Sequence, residues 1–169
     1  PDRPSCRTAF SFCQYANQFL FPFHKVTDEE DKYTLSRAYV AAMAKYRLSD
    51  KGPTSAGVFK TGYARSRKTA ADLIAVYKTE LPWAMDELNL TGFIIGHYPG
   101  AGHMVKLTDE EAARRAEFYN PVAEYLLQNR WLDRAYIWID EPRLEDYPGL
   151  YKFAAAMRKQ PYAGKIKLF

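Results

Sequence analysis

Apolar and polar positions follow two rhythms along this chain, one of period three to four and one of short continuous runs. Leu35, Ala38, Tyr39, Ala42, Met43 and Tyr46 share one face of a helical projection, and so do Ala112, Ala116, Tyr119, Val122, Ala123, Leu126 and Leu127. Each set follows the same tetrapeptide, Thr-Asp-Glu-Glu, at 27–30 and again at 108–111. A threonine at the N-cap with a glutamate three residues on satisfies two orphan N–H groups reciprocally, so both tetrapeptides predict helix starts. Pro121 is expected to kink the later helix. A further helix is predicted from about Thr69, carrying Leu73, Ile74, Val76 and Tyr77, interrupted near Pro82 and resuming to Leu90. A last helix is predicted over Tyr147 to Lys159.

Runs rich in β-branched and aromatic residues predict strands at 8–13, 47–49, 91–97 and 135–139, with a fifth beginning at 165. The two tetrapeptides sit in similar surroundings. His24-Lys-Val26 and His103-Met-Val-Lys-Leu107 precede them, and the helices run on to Leu48-Ser-Asp50 and Trp131-Leu-Asp133. That echo suggests repeated βα units, and alternating strands and helices demand parallel strands joined by helical crossovers. The expected fold class is therefore α/β, with residues 1–169 forming a single domain. A closed (β/α) barrel of TIM type takes about 250 residues, whereas this chain has 169. The expectation is an incomplete barrel of about four to five βα units, the N-terminal part of a larger one, whose last strand presents an open edge or pairs with another chain. The alternative is a complete five-stranded doubly wound sheet. Against it, Gln14-Tyr-Ala-Asn-Gln18 after the first strand contains neither a Gly-x-Gly-x-x-Gly turn nor a phosphate loop.

The chemistry concentrates where the run Ala135-Tyr-Ile-Trp-Ile139 gives way to Asp140, Glu141 and Pro142. Two adjacent carboxylates end what reads as a buried strand, and Pro142 forbids the ladder from continuing. Parallel sheets bind their ligands at the carboxyl ends of strands. Neighbouring strand residues point to opposite faces, so both acids can serve one pocket only if the strand ends between them. The plainer reading is that one of them caps the helix beginning near Tyr147 or pairs with Arg143.

Pro1-Asp-Arg-Pro-Ser5 leading into Thr8-Ala-Phe-Ser-Phe12, the stretch Lys45-Tyr-Arg-Leu-Ser49, and above all Trp131-Leu-Asp-Arg-Ala-Tyr-Ile-Trp-Ile-Asp-Glu-Pro142 resemble, in order, the catalytic barrel of glycoside hydrolase family 123 and its relatives of unknown function. The resemblance implies hydrolysis of N-acetylhexosamine glycosides, N-acetylgalactosamine in particular, by a retaining mechanism in which the substrate's 2-acetamido group is the nucleophile. It implies Glu141 as acid/base and Asp140 as the carboxylate that steadies the acetamido group, with no metal or other cofactor. Such a pair departs from the ordinary two-carboxylate arrangement, and its members' proximity separates their pKa values. The alternative is a noncatalytic carbohydrate-binding or assembly protein on the same scaffold.

His97 and Tyr98, at the end of the third predicted strand, are candidates for sugar hydroxyls or a stacking wall. Trp138 alternates in phase with Tyr136 and the Asp140 position and is a candidate floor of the sugar site or a core residue. His103 lies in the loop Pro99-Gly-Ala-Gly-His103, which offers closure over a ligand. His24, His97 and His103 lack a metal-binding spacing, and no Gly-x-Ser-x-Gly elbow occurs. Composition fits a globular domain, 47% hydrophobic and 15% aromatic. No stretch approaches a membrane span and no signal segment opens the chain. The expected location is cytoplasmic, or secreted or periplasmic if a signal peptide precedes this sequence. Cys6 and Cys13 are expected as free thiols. The net charge of +4 has its densest run at Arg65, Arg67 and Lys68 without interleaved aromatics, so specific nucleic-acid binding is not expected. The expected partners are a carbohydrate substrate and either a second copy or the remaining half-barrel.

Overall fold

The computed structural model describes residues 10–12, 20–46, 48–50, 69–96, 107–139 and 142–168. Strand β1 (Phe10–Phe12) is followed by a short helix α1 (Phe21–His24), helix α2 (Glu29–Lys45) and strand β2 (Leu48–Asp50). Helix α3 (Ala70–Leu81) runs directly into a π-helical turn over Pro82–Glu87 and leads to β3 (Phe93–Ile94). Helix α4 (Asp109–Gln128), β4 (Ala135–Ile137), α5 (Tyr147–Arg158) and β5 (Lys167–Leu168) complete the order. The described residues mix helices with short parallel strands, compatible with the α/β class, and no closed barrel is seen among them. Every described strand pairing is parallel, β1 with β2 and β3 with β4 with β5, so β4 is the centre of a three-stranded sheet. Among the described residues no ladder joins β2 to β3. No helix among them is long and apolar enough to cross a membrane.

The sheet's two faces differ. Phe93, Ile95, Ala135 and Ile137 join one apolar core with Leu73, Tyr77 and Leu81 of α3, Ala116, Tyr119, Val122 and Leu126 of α4, and Phe153 and Met157 of α5. Ile94 and Tyr136, which alternate with them, are also buried but lie outside that core. Burial on both faces is what a parallel sheet requires, and it explains why these strands read as continuous apolar runs.

The starts of the strands are fixed by polar side chains. Arg134 donates to the Met85 and Leu90 carbonyls at 3.0 and 3.3 Å, and Trp131 Nε1 donates to Asp86 Oδ1 at 2.9 Å. These bonds tie the turn before β4 to the segment before β3. Asn120 Oδ1, from the middle of α4, accepts from the Tyr162 and Ala163 N–H groups at 3.0 and 3.2 Å and so anchors the turn that leads to β5. Pro121 does not end α4, which continues to Gln128.

Several expectations need correction. The helix starting near residue 28 is capped by Asp28, whose side chain accepts from the Glu30 and Asp31 N–H groups, and Thr27 is exposed outside it. Val26 N–H bonds back to the Phe21 carbonyl as α1 closes, and this turn leaves position 28 as the first residue free to cap. Thr108 does cap α4, but Glu111 turns to Arg114 and Arg115 instead of reaching back. The reciprocal capping box lies at Thr69 and Asp72. Nor does α2 bury the predicted face: Ala38, Ala42 and Tyr46 are exposed, while Ser36 and Val40 are buried.

Candidate functional site

The carboxyl edge of the three-stranded sheet is where the sequence expects chemistry, and β4 lies at its centre with β3 and β5 on either side. A group following β4 is therefore flanked by two strand ends, the position at which parallel sheets gather ligand-binding residues. Ile95 N–H donates to the Tyr136 carbonyl at 2.8 Å and carries the pairing of β3 with β4 one residue past Ile94. β4 ends at Ile137, and Trp138 and Ile139, which follow it, are both half-buried. Trp138 is thus less enclosed than Ile137.

Asp140, Glu141, His97, Tyr98 and His103 lie outside the described residues, as do Cys6, Cys13, Arg65, Arg67 and Lys68. Of the residues singled out for the site, Trp138 is described, and it sits at the expected edge. The segment resumes with Pro142, and its geometry there is set by a residue the sequence reading passed over. Asp146 is buried, 4% exposed, and its Oδ2 accepts from Arg143 N–H at 2.9 Å, closing a tight turn before α5. Its Oδ1 is enclosed without a hydrogen-bond partner among the described residues. Arg143 makes a long contact of 3.7 Å with exposed Glu145, worth little in water. Asp146, Arg143 and Glu145 thus organise the start of α5 within the described segment. Asp146 precedes α5 but makes no side-chain cap bond to it; its carboxylate reaches back to Arg143, which an aspartate-before-helix pattern does not announce.

Two other buried polar groups escaped pattern reading. Tyr77 lies on the buried face of α3 and was counted as apolar, yet its hydroxyl accepts from Gly96 N–H at 3.0 Å. Glu80, 3% exposed, faces α2, where Arg37 Nη1 donates to it at 2.9 Å and the Tyr33 hydroxyl at 3.2 Å. The Arg37 guanidinium lies 3.5 Å from the centre of the Trp83 ring. Burial raises the Glu80 carboxyl above its ordinary value, against the opposing pull of the Arg37 charge and the two hydrogen bonds. Burial, then the Glu80 charge, likewise raises the Tyr33 phenol. This cluster joins two helices, and among the described residues its groups are satisfied by one another, so it is a tether. Among the described residues no group of three His, Cys, Asp or Glu side chains is placed to hold a metal ion.

The Trp131-Leu-Asp-Arg134 lead-in to β4, which contributes to the glycosidase resemblance, has a structural role in this protein. Trp131 and Arg134 hold the strand start, Leu132 is buried, and the Asp133 carbonyl accepts from Lys167 Nζ. Comparison with family models, with curated proteins and with solved structures found no match.

Proposed function

We propose that the protein is a glycoside hydrolase of N-acetylhexosaminidase type, acting on N-acetylgalactosamine glycosides on a scaffold of (β/α) barrel kind. One observation supports this reading best: the Asp-Glu-Pro segment follows the central strand of an all-parallel sheet. At such a position two carboxyls have a division of labour open to them. Glu141, protonated, donates to the leaving glycosidic oxygen, while ionised Asp140 orients the 2-acetamido group and steadies its developing positive charge as its oxygen attacks the anomeric carbon. Water then opens the cyclic intermediate, with Glu141 taking the proton, and the anomeric configuration is retained. Trp138 contributes apolar surface to the sugar-binding side, with His97, Tyr98 and His103 as polar partners.

The test is hydrolysis of aryl N-acetylgalactosaminides. Glu141→Gln should slow substrates with poor leaving groups most, because an activated aryl group needs little protonation. Asp140→Asn should slow both kinds by about a hundredfold, corresponding to roughly 3 kcal/mol of electrostatic stabilisation. Unchanged turnover in both variants would remove the pair from the active site. Efficient cleavage of the 2-hydroxy analogue would refute the internal nucleophile, and sugar binding without turnover would favour the noncatalytic alternative.

A further inference from the structure

We propose that Tyr147 and Tyr151 form a second sugar-binding subsite, holding a pyranose unit of the glycan next to the one whose bond is cleaved; the inference rests on the glycosidase reading for the identity of that glycan. Helix α5 turns Gly149, Phe153 and Met157 inward, a row spaced four residues apart. Tyr147 and Tyr151 have the same spacing and stand two positions off that row, so they fall on the opposite side of the helix. They are 42% and 71% exposed, and Leu144, in the turn before them, is 88% exposed. Single exposed apolar residues are ordinary, but three at one helix start make a patch. The two rings lie 6.4 Å apart, tilted by 45°, close enough for each to steady the other. A crossover helix that follows a parallel strand begins at the carboxyl rim of the sheet. Tyr147 is the first residue of α5 and comes six positions after Glu141.

The chemistry of the patch selects its occupant. A pyranose presents a face of C–H bonds and an edge of hydroxyls, and tyrosine meets the first with its ring and the second with its own hydroxyl. Charged side chains flank the pair along the chain. Arg143 and Glu145 lie 3.7 Å apart in the turn before α5, and Lys152, next to Tyr151, meets Asp109 at the start of α4 at 3.4 Å. Exposed ion pairs of this kind are worth little in water, so their donors and acceptors turn to sugar hydroxyls at small cost. An acyl chain would instead strip water from those four charges without replacing it. A protein partner needs more surface than this. Two tyrosine rings offer about 150–250 Å² each even when wholly covered, and one leucine beside them does not bring the patch to the roughly 800 Å² that each side of a stable complex buries.

The experiment is calorimetric titration with methyl N-acetylgalactosaminide and with an S-linked N-acetylgalactosamine trimer, whose sulfur bridges resist hydrolysis. Wild type should bind the trimer about tenfold more tightly than the monosaccharide, the worth of one good ring contact. Tyr151→Ala should remove that gain and leave the monosaccharide affinity as it is, while Tyr151→Phe keeps the gain, because the ring carries the contact. Phe23→Ala, which removes an exposed ring from α1, should change neither affinity. Both tyrosines are exposed, so their alanine variants should fold and melt close to wild type. Equal affinity of wild type for monosaccharide and trimer overturns the proposal, as does binding of neither sugar. So does a trimer gain that survives when Tyr147→Ala and Tyr151→Ala are combined. A wild type that sediments as a dimer and a Tyr151→Ala variant that does not, with sugar binding unchanged, would assign the rings to a second copy instead. Turnover of aryl N-acetylgalactosaminides reads the glycosidase separately, since it needs no neighbouring sugar. Turnover without a ring-dependent trimer gain refutes the subsite alone, and a ring-dependent gain without turnover refutes hydrolysis and leaves the rings as a sugar-binding surface.

Discussion

Helices α2 and α4 open with the same four residues and are held in opposite ways. Helix α4 buries Ala112, Ala116, Tyr119, Val122, Ala123 and Leu126, and meets α5 through rings such as Tyr119 and Phe153, whose centroids lie 6.1 Å apart. Helix α2 buries Ser36 and Val40 and reaches α3 through Tyr33 and Arg37 to the carboxylate of Glu80. Apolar burial draws its stability from area removed from water and needs no particular partner. A buried carboxylate must first recover its lost hydration, so its net worth depends on every donor staying in place. Similar starts thus give one helix with a broad apolar face in the core and another that enters the core chiefly through Val40 and is tied to α3 by polar side chains.

The largest expected effect falls on the apolar side. Phe153→Ala should cost about 3–5 kcal/mol in denaturant unfolding, the usual range for removing a fully buried aromatic ring. A cost below about 1 kcal/mol would show that the α4–α5 contact is not a rigid core.

On the polar side, Arg37→Ala leaves Glu80 buried with the Tyr33 hydroxyl alone. Arg37 is 26% exposed, so solvent screening reduces the penalty below that of a fully buried pair, to about 1–3 kcal/mol. Hydrogen exchange should accelerate in α2 and not in α4. Equal acceleration in both helices would contradict a local tether.

The cap assignment gives a smaller and sharper contrast. Asp28→Ala should cost about 1 kcal/mol and Thr27→Ala close to nothing, since the Asp28 side chain accepts the first N–H groups of α2. The reverse order would restore the threonine cap.

The smallest effect should come from Glu80→Gln, which keeps the shape and removes the charge. Because burial raises the folded-state pKa of Glu80 above its ordinary 4.5, the folded protein holds this proton more tightly than the unfolded chain. The contribution to stability is full below that ordinary value and is lost as pH rises through the raised one. Wild type should therefore lose stability across that interval, while the glutamine variant loses less and differs from wild type by about 1 kcal/mol or less near neutrality. A wild-type stability that instead rises with pH there, and a glutamine variant that flattens the rise, would mean that the Arg37 attraction outweighs burial.

The sequence by itself determined the order of strands and helices, their parallel pairing and most of the core. Runs such as Ala135-Tyr-Ile-Trp-Ile139 and the apolar stripe of α4 report burial directly, because area removed from water acts residue by residue. It also placed two acids and a proline, Asp140-Glu141-Pro142, just past β4, where a ladder must stop. Tertiary structure alone decided which face of α2 turns inward, since Tyr33, Ser36 and Arg37 count as polar until Glu80 and Trp83 stand opposite them. It alone decided that Asp28 and not Thr27 caps that helix, because the preceding turn closed by Val26 sets where the first free N–H groups fall. Tyr77 and Asp146 belong to the same class: a hydroxyl or carboxylate gains its role from a backbone N–H brought to it by the fold, and no spacing along the chain records that meeting.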